Sequence, residues 1–268
     1  MEIRGKVANF KKMLDVASLG GTFSELVIEV HNDKFLLIRC ADGAGKTTIS
    51  ERGIFTGFDK MSAEKEMIPI GIKVPKLLSK LAFFDPEEII SITTDDQDLV
   101  VAGEQYVWKT SIYDPDAIKV YAKKLKFAID DEKKIALYKK GEQAPTTIAT
   151  IQSDILKKIA KLSVEVGQEY YPISLAPPNK IFCSAGSRKK DKTNDLVDFN
   201  SNEDVLVDGE EMSTTLGKGF KEVCSVLDGE CQISGLNERI FGKAAPLWIY
   251  QVKDDYEIGF LIAPRVPE

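Results

Sequence analysis

The sequence predicts an α+β fold built from two similar halves, and three observations predict it. Four short amphipathic helices recur along the chain, each with one apolar stripe and one lysine face. Two from the first half return in the second at nearly one offset: Phe10 to Ile155 spans 145 positions and Leu77 to Phe220 spans 143. Around them, strand-like runs follow the same order in both halves. Antiparallel strands with helices gathered on one side form an α+β layer.

The first helix is expected over Asn9–Leu19, with Phe10, Met13, Leu14 and Ala17 inward and Lys11 and Lys12 outward. Strand-like runs follow at Ser24–His31 and Lys34–Ala41, parted by the turn pair Asn32-Asp33, then at Thr47–Phe55 and Met67–Lys73. The second helix is expected over Val74–Phe84. Val74, Leu77, Leu78 and Leu81 make its stripe, Pro75 stands in its first turn, and Lys73, Lys76 and Lys80 lie opposite. Glu87–Thr94, Asp98–Gly103 and Tyr106–Tyr113 read as three further strands.

The second half repeats this series. A strand ends at the helix Ser153–Leu162, where Ile155, Ile159 and Leu162 face inward and Lys157, Lys158 and Lys161 outward. Ser153 occupies the position of an N-cap, and Asp154 suits the positive end of the helix dipole. YYPISLA and NKIFCSAG follow, parted by Pro177-Pro178. The fourth helix, Lys218–Leu227, turns Phe220, Val223, Cys224 and Leu227 inward and Lys218 and Lys221 outward. ECQISGL, PLWIYQV and YEIGFLIA close the chain as strands.

Two stretches fall outside the repeat. Asp114–Ala144 joins the halves, and VYAKKLKFAI and KIALYKKG within it read as a hairpin around Asp130-Asp131-Glu132. Ser187–Asp195 is basic and polar and reads as a solvated hairpin tip.

The formal net charge is −6, which argues against a nucleic-acid partner until its distribution is considered. The four helices carry ten outward lysines against Asp15, Asp154 and Glu222, a local +7, so the remainder of the chain carries −13. This segregation suggests one basic surface on an acidic body. Four cysteines, far apart except for Cys224 and Cys231 and without a C-x-x-C pair, read as buried free thiols of a reducing compartment: cytoplasmic or nucleoid-associated, nuclear in a eukaryote. A single histidine and no Cys/His cluster argue against a metal site. No apolar run is long enough to span a membrane, and the first residues form no signal core.

DGAGKTT (Asp42–Thr48) resembles a nucleotide-binding P-loop, which would make the chain an NTPase using Lys46. The full motif requires a glycine where Cys40 stands, and a helix beginning at the lysine. TTISERGIFTG, rich in β-branched residues and glycine, stands there instead and reads as a strand. No other catalytic constellation is present and no cofactor is expected.

Ala245–Pro267 is the most specific stretch, APLWIYQVKDDYEIGFLIAPRVP. It resembles the C-terminus of DNA sliding clamps of the proliferating cell nuclear antigen family, where Pro-Leu opens a strand and the last strand ends in Ala-Pro-basic-aliphatic, here Pro246-Leu247 and Ala263-Pro264-Arg265-Val266. The resemblance extends over nearly the whole chain. It implies clamp domains at 1–113 and 145–268, joined by a connector at 114–144. It implies antiparallel sheets outside, with two helices per domain lining a ring of three subunits. Lys11, Lys12, Lys73, Lys76, Lys80, Lys157, Lys158, Lys161, Lys218 and Lys221 would meet encircled double-stranded DNA. DNA polymerase, the clamp loader and short apolar clamp-binding peptides would dock at Pro246 and Leu261, Ile262, Ala263, Pro264 and Arg265, against a connector wall of Ile118, Val120 and Tyr121. Tyr106–Tyr113 and the strand near Asn194–Asn200 would pair between subunits. A clamp-fold subunit of a heteromeric ring is the alternative assembly.

Overall fold

The computed structural model describes the chain except residues 32–35, 42–48, 64–66, 96, 123–127, 131, 138–142, 169, 187, 190–191, 194–196, 218, 238–244 and 266–268. The first half runs β1 (Glu2–Lys6), α1 (Val7–Ala17), β2 (Glu25–His31), β3 (Leu36–Ala41), β4 (Ile49–Phe55), β5 (Lys60–Ser62), β6 (Met67–Lys73), α2 (Val74–Leu81), β7 (Ile89–Asp95), β8 (Asp98–Ala102) and β9 (Val107–Ser111). The connecting stretch holds α3 (Pro115–Ala122), β10 (Ala128–Asp130) and β11 (Ile135–Leu137). The second half runs β12 (Thr147–Gln152), α4 (Ser153–Glu165), β13 (Tyr171–Ala176), β14 (Lys180–Ala185), β15 (Arg188–Lys189), β16 (Lys192–Thr193), β17 (Val197–Ser201), β18 (Val205–Gly209), β19 (Met212–Leu216), α5 (Gly219–Val226), β20 (Glu230–Gly235), β21 (Leu247–Val252) and β22 (Tyr256–Ile262).

The chain forms two compact units. The first comprises Met1–Ala41, Ser50–Lys124 and Val252–Ile258; the second is mainly Leu125–Gln251 and Gly259–Glu268. The duplication is a duplication of topology. Unit 1 contains the strand order β5-β1-β7-β8-β9, and the order β18-β12-β20-β21-β22 repeats it element for element. The order β4-β3-β2-β6 is likewise repeated as β17-β14-β13-β19. Every pairing among these strands with a described register is antiparallel.

Strict alternation aims the strands. β12 and β13 bury every second residue, which puts Ala149 and Ile151, and Ile173 and Leu175, inward. Each helix is held by its stripe: Phe10 and Leu14 of α1, Leu77 and Leu81 of α2, Ile159 of α4 and Phe220 of α5 are all buried. Burying a side chain of this size contributes about 1.5–3 kcal/mol, far more than the intrinsic propensity of such short helices.

Two local expectations are corrected. α4 begins one residue earlier than its cap signal suggests: Gln152 is the N-cap and makes no side-chain cap bond, while Ser153 lies inside the first turn with its hydroxyl buried. Burial of this face outweighs capping. The connector's first arm starts in a helix: Val120–Ala122 end α3, and Ala128–Ile129 are strand. The Asp114 carboxylate accepts from the Asp116 N–H at 2.9 Å and Pro115 opens the first turn, so a cap precedes α3. Among the described residues the connector hairpin pairs Ala128–Asp130 with Ile135–Leu137. The basic stretch is a hairpin, as expected: Arg188–Lys189 pairs with Lys192–Thr193.

The P-loop-like residues 42–48, with Lys46, lie outside the described residues. The next element is β4, which pairs with β3 from Ala41↔Ser50 to Leu36↔Phe55. A strand stands where a phosphate-binding loop requires a helix N-terminus.

Candidate nucleic-acid interface

The lysine faces are products of helix geometry. In α1 the stripe Val7, Phe10, Met13, Leu14 and Ala17 is buried and pulls the helix onto the core, where the Phe10 ring meets Phe58 at 4.7 Å between centroids. Asn9 donates its side-chain amide to the Gly57 carbonyl, so it is occupied in fixing the helix. Lys11 and Lys12 are left on the outer side. In α2, Leu77 and Leu81 go inward and Lys76 and Lys80 outward; α1 packs against α2. In α4, Ile155, Leu156, Ile159 and Ala160 go inward and Lys157, Lys158 and Lys161 outward; α4 packs against α5, which presents Lys221. Lys218 lies outside the described residues. Each unit therefore carries a pair of adjacent helices with an ammonium-rich outer face, and no arginine lies on any of the four helices.

The surroundings of these ammonium groups differ. Lys12 Nζ lies 2.9 Å from both carboxylate oxygens of Asp255 and 5.2 Å from the Tyr256 ring centroid. Lys73 stands 3.8 Å from a Glu25 oxygen and 4.4 Å over the Tyr113 ring. Lys80 lies 4.5 Å over the Trp108 ring. Lys157 reaches Asp154 at 3.6 Å, one turn away on its own helix. Lys11, Lys76, Lys158, Lys161 and Lys221 make no ion pair or cation–π contact among the described residues. Asp154 apart, which lies on α4 itself, the aromatic and acidic partners come from β2 (Glu25), β9 (Trp108), the residues after β9 (Tyr113), β22 (Tyr256) and the turn before β22 (Asp255). Nothing in the sequence of α1 points to Asp255, because it stands 243 positions from Lys12.

The residues expected at a peptide-docking surface separate into core and surface. Leu261 and Ile262 lie in β22 with 3% and 0% exposure, so their side chains serve the core and not a partner. Leu261 packs with Ala136, Leu236, Ala245, Trp248 and Tyr250. Pro246, Ala263 and Pro264 are half-buried and Arg265 is exposed. Beyond β22 the backbone bridges Pro264 to Leu216, the Arg265 N–H donates to the Thr215 carbonyl at 2.8 Å, and the Arg265 guanidinium lies 4.7 Å over the Tyr170 ring. Ile118 is buried on α3 in unit 1, its methyl group crowding Gly71, and is not an open wall. Val120 and Tyr121 belong to the same helix. In unit 2 the connector residue that reaches the C-terminal strand is Ala136 of β11, and the nearby Lys134 carbonyl accepts from Trp248 Nε1 at 3.0 Å.

No group of acids, histidines and cysteines among the described residues is arranged to hold a metal ion, and no described helix is long and apolar enough to cross a membrane. Cys183, Cys224 and Cys231 are buried free thiols. Burial pushes the Cys183 thiol up to about 11 and raises that of Cys224 well above its ordinary value.

No protein-family model matches the sequence, and no curated protein matches it. Solved structures do. The chain is similar to A. fulgidus PCNA, solved with the C-terminal region of FEN-1, with a TM-score of 0.73 at 15% identity over 100% of this chain and 99% of that one. It is similar to Thermococcus kodakaraensis PCNA, with a TM-score of 0.71 at 19% identity over 98% and 99% of the two chains. It is also similar to a chain of the Sulfolobus tokodaii PCNA2–PCNA3 complex, with a TM-score of 0.67 at 14% identity over 99% of each. The likeness spans both units, their repeated sheets and the helix pairs, and it fixes the architecture: the chain has the two-domain clamp fold of the proliferating cell nuclear antigens.

Proposed function

We propose that this chain is a DNA sliding clamp, a processivity factor that encircles double-stranded DNA and acts by enclosure, without catalysing a reaction. The observation that carries the reading is the twice-repeated helix pair with its lysine face, set in a clamp fold. Lysine suits a sliding contact, because it meets phosphate as a flexible point charge without fixing a register. Base readout would require groups able to address base edges, and the outward faces offer ammonium groups instead.

Strand edges supply the assembly. β9 and β17 lie at sheet edges, and in the internal repeat they are the counterparts of β22 and β4. The start of β22, Tyr256–Ile258, belongs to unit 1 and neighbours β4. The pairing made within one chain by β22 and β4 is therefore available between chains to β9 and β17. Such an interface is heterologous and closes into a ring when the rotation allows; three subunits is the number implied by the fold. The exposed Val107, Tyr106 and Phe83 beside β9 provide apolar surface for it. The PCNA2–PCNA3 complex among the similar structures supports a second assembly, in which this chain is one subunit of a heteromeric ring.

For partners, A. fulgidus PCNA binds the C-terminal region of FEN-1. We extend peptide docking to this chain at Pro246 and Ala263–Arg265, with polymerase and clamp loader as users of the same surface. The test is retention on DNA. Loaded protein should stay on a nicked circle and leave when the circle is linearised. Equal loss from both forms would refute enclosure.

A further inference from the structure

Among the described outward lysines, Lys12 alone is held by a carboxylate in bidentate geometry. Both Asp255 oxygens lie 2.9 Å from its ammonium group, whereas Lys157–Asp154 and Lys73–Glu25 stand at 3.6 and 3.8 Å with more exposed acids. Asp255 itself is firmly seated. Its carbonyl accepts from the Thr56 N–H at 2.9 Å, its turn is closed by Lys253 N–H to the Tyr256 carbonyl at 2.7 Å, and its Cβ is packed over Gly57. The Tyr256 ring lies beneath the ammonium group. The pair is partly shielded, with Asp255 31% exposed, and so is screened less by salt than a rim pair.

The geometry points to Asp255 as a restraint on DNA contact, which holds Lys12 back against β22 and cancels its charge so that α1 offers phosphate only Lys11. The inference deepens the sliding-clamp reading and rests on it. A ring must hold DNA without arresting it, and an internal carboxylate that competes with phosphate for one ammonium group lowers the grip by one contact per subunit. The lysines without a described intramolecular ion pair or ring contact (Lys11, Lys76, Lys158, Lys161 and Lys221) then carry the holding.

The experiment measures duplex DNA affinity of the full chain by fluorescence anisotropy across a salt series, for wild type, Asp255→Ala, Asp254→Ala, Lys12→Ala and the Lys12→Ala/Asp255→Ala double variant. Asp254 is the exposed neighbour and carries the same charge without touching Lys12 in any described contact. Asp255→Ala should tighten binding and steepen the salt slope by about 0.9 unit for each Lys12 that reaches a phosphate. Asp254→Ala should leave the slope unchanged, and the double variant should return to the wild-type slope. Asp255→Asn, which removes the charge and keeps the side-chain size, should reproduce the gain and stands in if Asp255→Ala does not fold, while Lys12→Ala alone bares the Asp255 carboxylate and should weaken binding. A gain equal in the Asp254 and Asp255 variants, or a gain that survives removal of Lys12, would each overturn the restraint. Absence of salt-dependent duplex binding in every variant would instead bring down the clamp reading, and the restraint with it.

Discussion

At the scale of single residues, the fold is most exacting where backbone meets ring. A Cβ on Gly259 would overlap the Trp248 indole, which is fully buried and anchored through Nε1. Gly259→Ala should therefore cost roughly 1–3 kcal/mol or more by overpacking, read as a lower urea midpoint. Gly217→Ala, with open space at its Cβ, is the near-neutral control. Cys183 gives a pH signature. Its thiol holds its proton up to about 11 in the folded chain, while an unfolded thiol releases it near 8.5. Across that window the folded state binds more protons than the unfolded, so stability falls as pH rises, by up to about 1.4 kcal/mol per pH unit. The stability advantage of wild type over Cys183→Ala should shrink between pH 9 and 11; an advantage constant over that range would contradict the burial.

At the scale of elements, the four lysine helices are legible in the sequence because each stripe recurs with helical period and each is short enough to need only one face. Most strands are legible for the same reason at period two. The illegible features depend on distance or on competing signals. VYAKKLKFAI alternates well enough to pass for a strand, but its first residues complete a helix already started by the Asp114 cap and Pro115. β18 and β19 do not stand out in the sequence, since VLVDG and MSTTL are short and bounded by acids. Leu261 and Ile262 adjoin Ala263-Pro264 and so suggest a partner surface, and only the sheet shows that both faces of β22 are covered there. Lysine to alanine in pairs, on Lys76 with Lys80 and on Lys158 with Lys161, should change unfolding free energy by under about 0.5 kcal/mol each. The Lys158/Lys161 pair should shallow the salt slope of DNA binding by about 0.9 unit for each phosphate no longer met. A large stability loss from either pair would show that these side chains serve packing instead.

At the scale of the whole molecule, the repeat makes assembly a question about two strand edges. Gly103 N–H donates to the Tyr106 carbonyl and Ile112 N–H to the Gln97 carbonyl. With the β8–β9 register, this places even-numbered residues of β9 in the hydrogen-bonded pairs and turns the N–H groups of Val107, Lys109 and Ser111 outward. Val107→Pro, at the first residue of β9, should thus spare the sheet of its own chain, as proline is tolerated where an edge N–H points away, and remove a donor from the intersubunit ladder. The expected result is a fall in solution mass from about three chains towards one, with the thermal unfolding of the subunit little changed. An undiminished mass would place the interface elsewhere.

That outward ladder has a bearing on how long the protein survives. Proteases bind their substrates as extended backbone, and a lone subunit presents β9 already extended at the edge of its sheet, with the Val107 and Ser111 N–H groups turned outward. Resistance to cleavage near β9 should then rise with protein concentration, since a neighbour's strand and a protease compete for the same donors. Where a subunit is made in excess of its mates, the surplus would be the fraction cut first, so turnover itself would keep the stock of chains matched to the number that can close.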